Sequence, residues 1–283
     1  MDPVQIILLA LVQALTEFLP VSSSGHLVLA SLFFGWAYQG ISFDLALHVG
    51  TLLAVLIYFR RDVWELGLAA LGWRPGRPLA PRQRLAFGLA LGTIPGAVAG
   101  ALLGNSGALV LRHPLLIAAM LAGFGLLLGY AARRAPLPAG GEARDEVDQV
   151  FAGLSFGHAF LIGCAQALAL VPGVSRSGAT MTAALLLGWN RVAAARYAFL
   201  LSVPIMVGAG GYELAGLLAS DEAVDWGAIA LGTTIAAAAG LLVIHLFLGI
   251  LRRIGVAPFV VYRVLLALVV VAWWFASRQA AVP

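Results

Sequence analysis

Lysine is absent from this chain, and all 17 of its basic residues are arginine. Charge of either sign is scarce: Asp, Glu, Lys and Arg together make up 11% of 283 residues, whereas a soluble domain carries about a quarter. So little charge cannot clothe a water-facing surface, which excludes an ordinary soluble domain. The single cysteine, Cys164, excludes an intramolecular disulfide framework and reads as a small buried hydrophobe. No basic region precedes the first apolar run, so a cleavable signal peptide is not expected. What fills the chain instead is hydrocarbon. Hydrophobic residues make up 61% of it, with a mean hydropathy of +0.97. A bilayer is the solvent that matches. The net charge of +4 does not indicate nucleic acid, because the arginines sit in short clusters between apolar runs.

A spanning helix needs about 20 mostly apolar residues. Six segments qualify, approximately 43–59, 85–104, 114–132, 197–218, 227–249 and 258–276. Two further apolar stretches, about 5–36 and 154–188, are each broken by Pro, Gly and Ser, at Pro20–Gly25 and at Pro172–Gly178. Irregular backbone at membrane depth is tolerated only inside protein or beside a wet cavity. Each stretch therefore reads as a re-entrant helix–loop–helix pair, with one kinked span as the competing reading. Arginine placement orients the chain. Arg60, Arg61, Arg74, Arg77, Arg82 and Arg84 fall in one loop, Arg133, Arg134 and Arg144 in another, and Arg191 and the Arg252–Arg253 pair in two more. These loops are expected on the cytoplasmic side. The opposite loops carry Arg112 on one hand and Asp221, Glu222 and Asp225 on the other.

The halves repeat. A gapless slide of 153 residues lays Gln13-Ala14-Leu15 on Gln166-Ala167-Leu168, Val21-Ser22 on Val174-Ser175, Ser24-Gly25 on Ser177-Gly178 and Gly35-Trp36 on Gly188-Trp189. A weaker match at an offset of 140 pairs Leu91-Gly92-Thr93 with Leu231-Gly232-Thr233. Three crossings per half invert the second copy against the first, so both breaks should meet near the midplane. The expected fold is an all-α polytopic membrane protein of six transmembrane helices plus two re-entrant pairs in an inverted repeat. Its halves are about 1–135 and 150–283, joined by a linker at 136–149.

The polar residues of the two breaks carry the chemistry. Gln13 and Glu17, four apart, share a helical face. An ionisable group inside a membrane segment is costly and marks function by default, although a neighbouring helix could satisfy Glu17 without chemistry. The pair offers oxygen ligands for Mg²⁺ or Ca²⁺, or Glu17 serves as a base. Ser22, Ser23, Ser24 and His26 open the helix after the first break, where free N–H groups and the dipole suit phosphate. Simple N-capping needs one serine, not three with a histidine. In the second break, Gly173 permits close backbone approach, Ser175, Ser177 and Thr180 can line an oxyanion cradle, and Arg176 can fork onto phosphate. A structural Arg176–Glu17 pair is the plain alternative. Arg263, in the last span, supports the pocket, binds diphosphate or snorkels to the interface. His48, His158 and His245 read as satisfied core histidines.

The strings Gln13-Ala-Leu-Thr-Glu17-Phe-Leu-Pro-Val-Ser-Ser-Ser-Gly-His26 and Pro172-Gly-Val-Ser-Arg-Ser-Gly-Ala-Thr180 resemble the two signatures of the bacterial undecaprenyl-diphosphate phosphatase family, also known as the bacitracin-resistance protein. The resemblance covers essentially the whole chain. It implies hydrolysis of undecaprenyl diphosphate to undecaprenyl phosphate and inorganic phosphate, recycling the lipid carrier of peptidoglycan synthesis. It also implies a divalent metal, Mg²⁺ or Ca²⁺, and an inner-membrane site open to the periplasm. Carried over, Glu17 is metal ligand or base, and Ser23 or His26 is the nucleophile, with Ser23 favoured and His26 otherwise a proton shuttle. Arg176 clamps phosphate, and Ser175, Ser177 and Thr180 line its cradle. The family often has glutamate where Gln13 stands, which leaves one charge fewer for a metal. A transporter or flippase of the monophosphate lipid is the alternative that inverted repeats suggest, and a homodimer is compatible with either reading.

Overall fold

The broken apolar stretches become two pairs of short helices. The computed structural model describes residues 2–36, 39–74, 76–136, 143–219 and 225–279. Asp2 caps the first helix, α1 (Pro3–Phe18), by accepting from the Val4 N–H, and Pro3 occupies its first turn. Pro20 ends it: the residue before a proline is driven out of the helical region, and Leu19 is extended at φ −71°, ψ 145°. The chain resumes as α2 (Ser23–Phe34), closed by Gly35 in the left-handed region at φ 65°. In the second half α8 (Phe156–Leu168) and α9 (Arg176–Leu186) flank the break at 169–175. All four helices fall short of the roughly 20 residues that cross a bilayer. Within each pair the two helices pack on each other.

Five helices are long and apolar enough to cross a membrane: α5 (Pro81–Val110), α6 (Pro114–Arg134), α10 (Arg191–Leu218), α11 (Trp226–Arg253) and α12 (Ala257–Gln279). A sixth is reached by α3 (Ile41–Tyr58) if it is counted with α4 (Arg60–Leu71), to which it is bent by 82°. These helices overlie the six expected segments. Among the described residues there are twelve helices and no strand. Two helices lie where loops were expected. One is α4. The other, α7 (Ala143–Ala152), replaces the second part of the expected linker 136–149, of which 137–142 lies outside the described residues, as do Asp221 and Glu222. Its Val147 and Phe151 are buried, and Phe151 packs its ring against Trp189 and Tyr197. An amphipathic helix docked by apolar contacts carries too many charges to register as a span. Cys164 is half-buried on α8 rather than fully enclosed.

The packing is reciprocal between the halves. α1 lies on α11 and α3 lies on α11, while α8 lies on α5 and α10 lies on α5. Each half thus lays its first helices against a long helix of the other. α10 is the most enclosed long helix; its Phe199 meets Phe18 edge-on at 5.6 Å and Phe247 at 5.9 Å, and contacts Phe59 at 6.0 Å. Small residues set the closest approach, as expected where helices associate by van der Waals packing rather than by escape from water. A Cβ on Gly163 of α8 would collide with the carbonyl of Gly92 on α5.

Gly163→Val should therefore force α5 and α8 apart and lower stability by about 1–3 kcal/mol, the usual range for overpacking. Gly123→Ala, on a face of α6 with no atom within 4 Å of the added carbon, should not. Thermal unfolding in detergent reads both; equal melting temperatures would contradict this account of the α5–α8 seam.

Candidate active site

The two breaks, 153 residues apart in the repeat, interlock. Gly173 N–H donates to Ser22 Oγ at 3.0 Å, and Ser177 Oγ–H donates to the Leu19 carbonyl at 3.1 Å. Ser22 and Ser175 occupy the same repeat position, and both have positive φ, 77° and 74°. Each accepts the N–H three residues on, Gly25 at 3.4 Å and Gly178 at 3.1 Å, capping α2 and α9 respectively. A serine at positive φ costs free energy that the surrounding contacts must hold in place, and such strain gathers at functional sites. Gly173 is at φ 96°, and a Cβ there would lie 2.6 Å from the Ile117 carbonyl oxygen of α6, so only glycine fits that turn.

Glu17 stands at the junction, buried near the C-terminus of α1. Its Oε1 accepts from Arg176 Nη2 at 2.7 Å, and the Arg176 side chain is 19% exposed. Its Oε2 accepts from Gln13 Nε2 at 3.1 Å and from the Ser23 hydroxyl. Ser23 and Arg176 are the first residues of α2 and α9 and the same position of the repeat. One register thus places a hydroxyl and a guanidinium on the two oxygens of one carboxylate. Gln13 Oε1 is buried with no hydrogen-bond partner. Among the described residues no three His, Cys, Asp or Glu side chains converge.

The other expected residues divide. Ser24 is exposed, 3.4 Å from Ser22 Oγ. Thr180 is turned along its own helix, donating to the Arg176 carbonyl at 2.8 Å. His26 bonds to Ser22 and Tyr262 rather than to Glu17. Its Nδ1 lies 2.7 Å from the Ser22 carbonyl, which only accepts, so Nδ1 carries a proton; Nε2 shares a hydrogen bond with the Tyr262 hydroxyl at 2.7 Å, accepting it when the ring is neutral. Tyr262 has no motif or periodicity that marks it in the sequence, and the tertiary fold alone brings it to His26. Of the remaining histidines, His48 Nδ1 meets the Asp44 carbonyl at 2.8 Å, while His158 Nδ1 is buried without a partner.

Of the roles expected for Arg263, its contacts fit support of the pocket. Its side chain is fully buried, which also excludes snorkelling. Nε donates to the Leu121 carbonyl at 2.9 Å and Nη1 to that of Pro20 at 2.9 Å. Nη2 lies 2.8 Å from the Gly173 carbonyl and 3.0 Å from that of Val174. One guanidinium therefore staples both breaks to α6. Gly125 makes room for it: a Cβ there would lie 3.1 Å from Arg263 Cβ.

The sequence is similar to known proteins over nearly its whole length. The family model described as bacitracin resistance protein BacA matches residues 6–269. Undecaprenyl-diphosphatase 2 of Stutzerimonas stutzeri is 48% identical over 95% of this chain and 97% of its own length. Undecaprenyl-diphosphatase of Hahella chejuensis is 45% identical over 96% and 98%, and that of Thioalkalivibrio sulfidiphilus 46% over 94% and 97%.

Arg263→Lys keeps the charge but cannot reach carbonyls of α6 and both breaks at once. Disrupting a buried cation network of this kind costs about 3–5 kcal/mol, so the melting temperature in detergent should fall steeply. A variant that weakens substrate binding at an unchanged melting temperature would restore Arg263 as a phosphate ligand.

Proposed function

The chain belongs to the bacitracin resistance protein BacA family, and on that premise we propose how it acts as an undecaprenyl-diphosphate phosphatase, with the Glu17 carboxylate as the base that activates Ser23. The observation that carries the proposal is the hydrogen bond from the Ser23 hydroxyl to Glu17, whose other oxygen is held by Arg176. A serine nucleophile needs a base within hydrogen-bond reach, and the fold-back at Pro20 supplies one six residues away in sequence. In this reading Ser23 Oγ attacks the terminal phosphorus and gives its proton to Glu17. The bridging P–O bond breaks, and its electron pair leaves with undecaprenyl phosphate. Water then replaces serine at phosphorus, Ser23 Oγ recovers the proton from Glu17, and inorganic phosphate departs.

Arg176 takes the role of phosphate clamp, assisted by the first-turn N–H groups of α2 and α9. Ser22, Ser175 and Ser177 hold the strained breaks that aim those groups, and Ser24, exposed beside them, is the hydroxyl placed to meet the headgroup. His26, oriented by Tyr262, passes protons rather than attacking phosphorus. A divalent metal, Mg²⁺ or Ca²⁺, fits the donors only in part: Glu17 and the partnerless Gln13 Oε1 would be the two protein oxygens to hold it, with the diphosphate and water supplying the rest, as Mg²⁺ sites commonly require. When bound there it would neutralise charge on the phosphoryl oxygens.

The membrane arrangement we propose is six crossings with two re-entrant hairpins in an inverted repeat, the arginine-rich loops cytoplasmic and the site open to the periplasm of the inner membrane. The arginine asymmetry and the reciprocal packing of the halves support it. A transporter has no need of a hydroxyl poised on a carboxylate, and the relatives' names give transport no support.

Glu17→Gln and Ser23→Ala should each lower phosphate release from undecaprenyl diphosphate by a hundredfold or more, in line with the usual contribution of a positioned base (about 10²–10⁴). EDTA should abolish release and Mg²⁺ or Ca²⁺ restore it. Unimpaired release by Ser23→Ala would transfer the nucleophile to His26 or to water. Tyr262→Phe should lower kcat several-fold with KM nearly unchanged; loss confined to KM would instead put Tyr262 in substrate binding.

A further inference from the structure

Away from the catalytic breaks, the last turns of α6 and α11 and the first turns of α10 and α12 surround a trough of about 210 Å³. Gly129, Ala132, Arg133, Arg191, Val260 and Val261 line it, and none of them belongs to the site built on Glu17. Its walls are apolar apart from the two guanidinium groups. Arg134, Arg252 and Arg253 stand in the same last turns of α6 and α11. Five arginines thus gather at one end of the bundle. The ion pairs among the described residues engage Arg82, Arg176 and Arg196; none of the five has a carboxylate partner there.

Arg191 is the most constrained. Its Nη2 donates to the Ala132 carbonyl at 3.3 Å, and it lies against Gly255 in the α11–α12 turn, where a Cβ would come within 2.8 Å of Nη1. Its Nε is buried and has no hydrogen-bond partner. A buried donor without an acceptor calls for one, and for a cation the missing acceptor is an anion. Val260 floors the trough against Gly129, and Val261, 57% exposed, carries it onto the outer flank of α12. A group that satisfies cations at one end and hydrocarbon along the other is a phosphate ester of an acyl lipid. Arginine-rich ends of spanning helices face the leaflet where anionic phospholipids accumulate.

We propose that this trough binds an anionic glycerophospholipid, its headgroup phosphate between Arg133 and Arg191 and an acyl chain along Val260 and Val261. Such a lipid would tie α6, α10 and the α11–α12 turn together at a distance from the chemistry.

The test is native mass spectrometry of the full chain in detergent, titrated with phosphatidylglycerol or with phosphatidylcholine of the same acyl chains. The parent protein should retain phosphatidylglycerol preferentially. Arg133→Gln and Arg191→Gln should each weaken it about fivefold, the equivalent of about 1 kcal/mol per basic residue near a charged lipid surface. Val261→Trp, which obstructs the trough and leaves every arginine in place, should weaken it likewise, while phosphate release by Arg133→Gln stays at the parent rate. Equal retention of the two lipids by the parent would overturn the proposal. So would undiminished phosphatidylglycerol binding by Val261→Trp, or competition by glycerol phosphate as strong as by the intact lipid, which would mean a site for soluble phosphate.

Discussion

A carboxylate enclosed among apolar helices must be held by donors or it will not stay charged, and the architecture is arranged around meeting that demand for Glu17. Arg176 takes one oxygen, and Gln13 and Ser23 take the other. Because Arg176 comes from the second break and Ser23 from the first, the ion pair forms only when both breaks are seated. The charge pair and the seating of the two breaks on each other are thereby coupled. The serine that would attack phosphorus is already bonded to its base in the closed fold.

Beneath this pair lies a second buried cation that uses no carboxylate at all. Arg263 is neutralised by carbonyl dipoles from Leu121, Pro20, Gly173 and Val174. Breaks that expose carbonyls at membrane depth leave acceptors that water cannot reach, and a planar guanidinium is suited to collecting several of them at once. Arg176 joins the loops through Glu17, and Arg263 joins them through their carbonyls. The strained Ser22 and Ser175 are kept between them.

The repeat keeps its two serine turns alike and divides its chemistry between the halves. Ser22 and Ser175 share their conformation and their capping role, but the position of Gly173 in the second half is Pro20 in the first, which has no N–H to donate across to Ser175. The position of Glu17 is Leu170 in the second half, and Gln166, the counterpart of Gln13, is buried with both amide atoms lacking partners. One carboxylate therefore serves both helix starts. A single buried charge costs one desolvation rather than two.

Much of this was legible in the residues alone. Apolar runs of membrane length, interrupted twice by Pro, Gly and Ser, determined the helices, their breaks and the polar residues lodged in them, because those properties are local: segment length, missing N–H groups and positive φ are decided within a few residues. The helices α4 and α7 escaped notice because their charged faces mask the apolar stripe that docks them. Tertiary structure alone decided which side chains share a hydrogen bond. The Arg176–Glu17 pair is among the readings of the residues, but nothing in the spacing predicts that Arg263 disappears under the loops or that His26 turns to Tyr262. Those outcomes depend on which helix face lies against which neighbour, and that is set by close packing at small residues such as Gly92, Gly125 and Gly163 rather than by any local preference of the charged residues themselves.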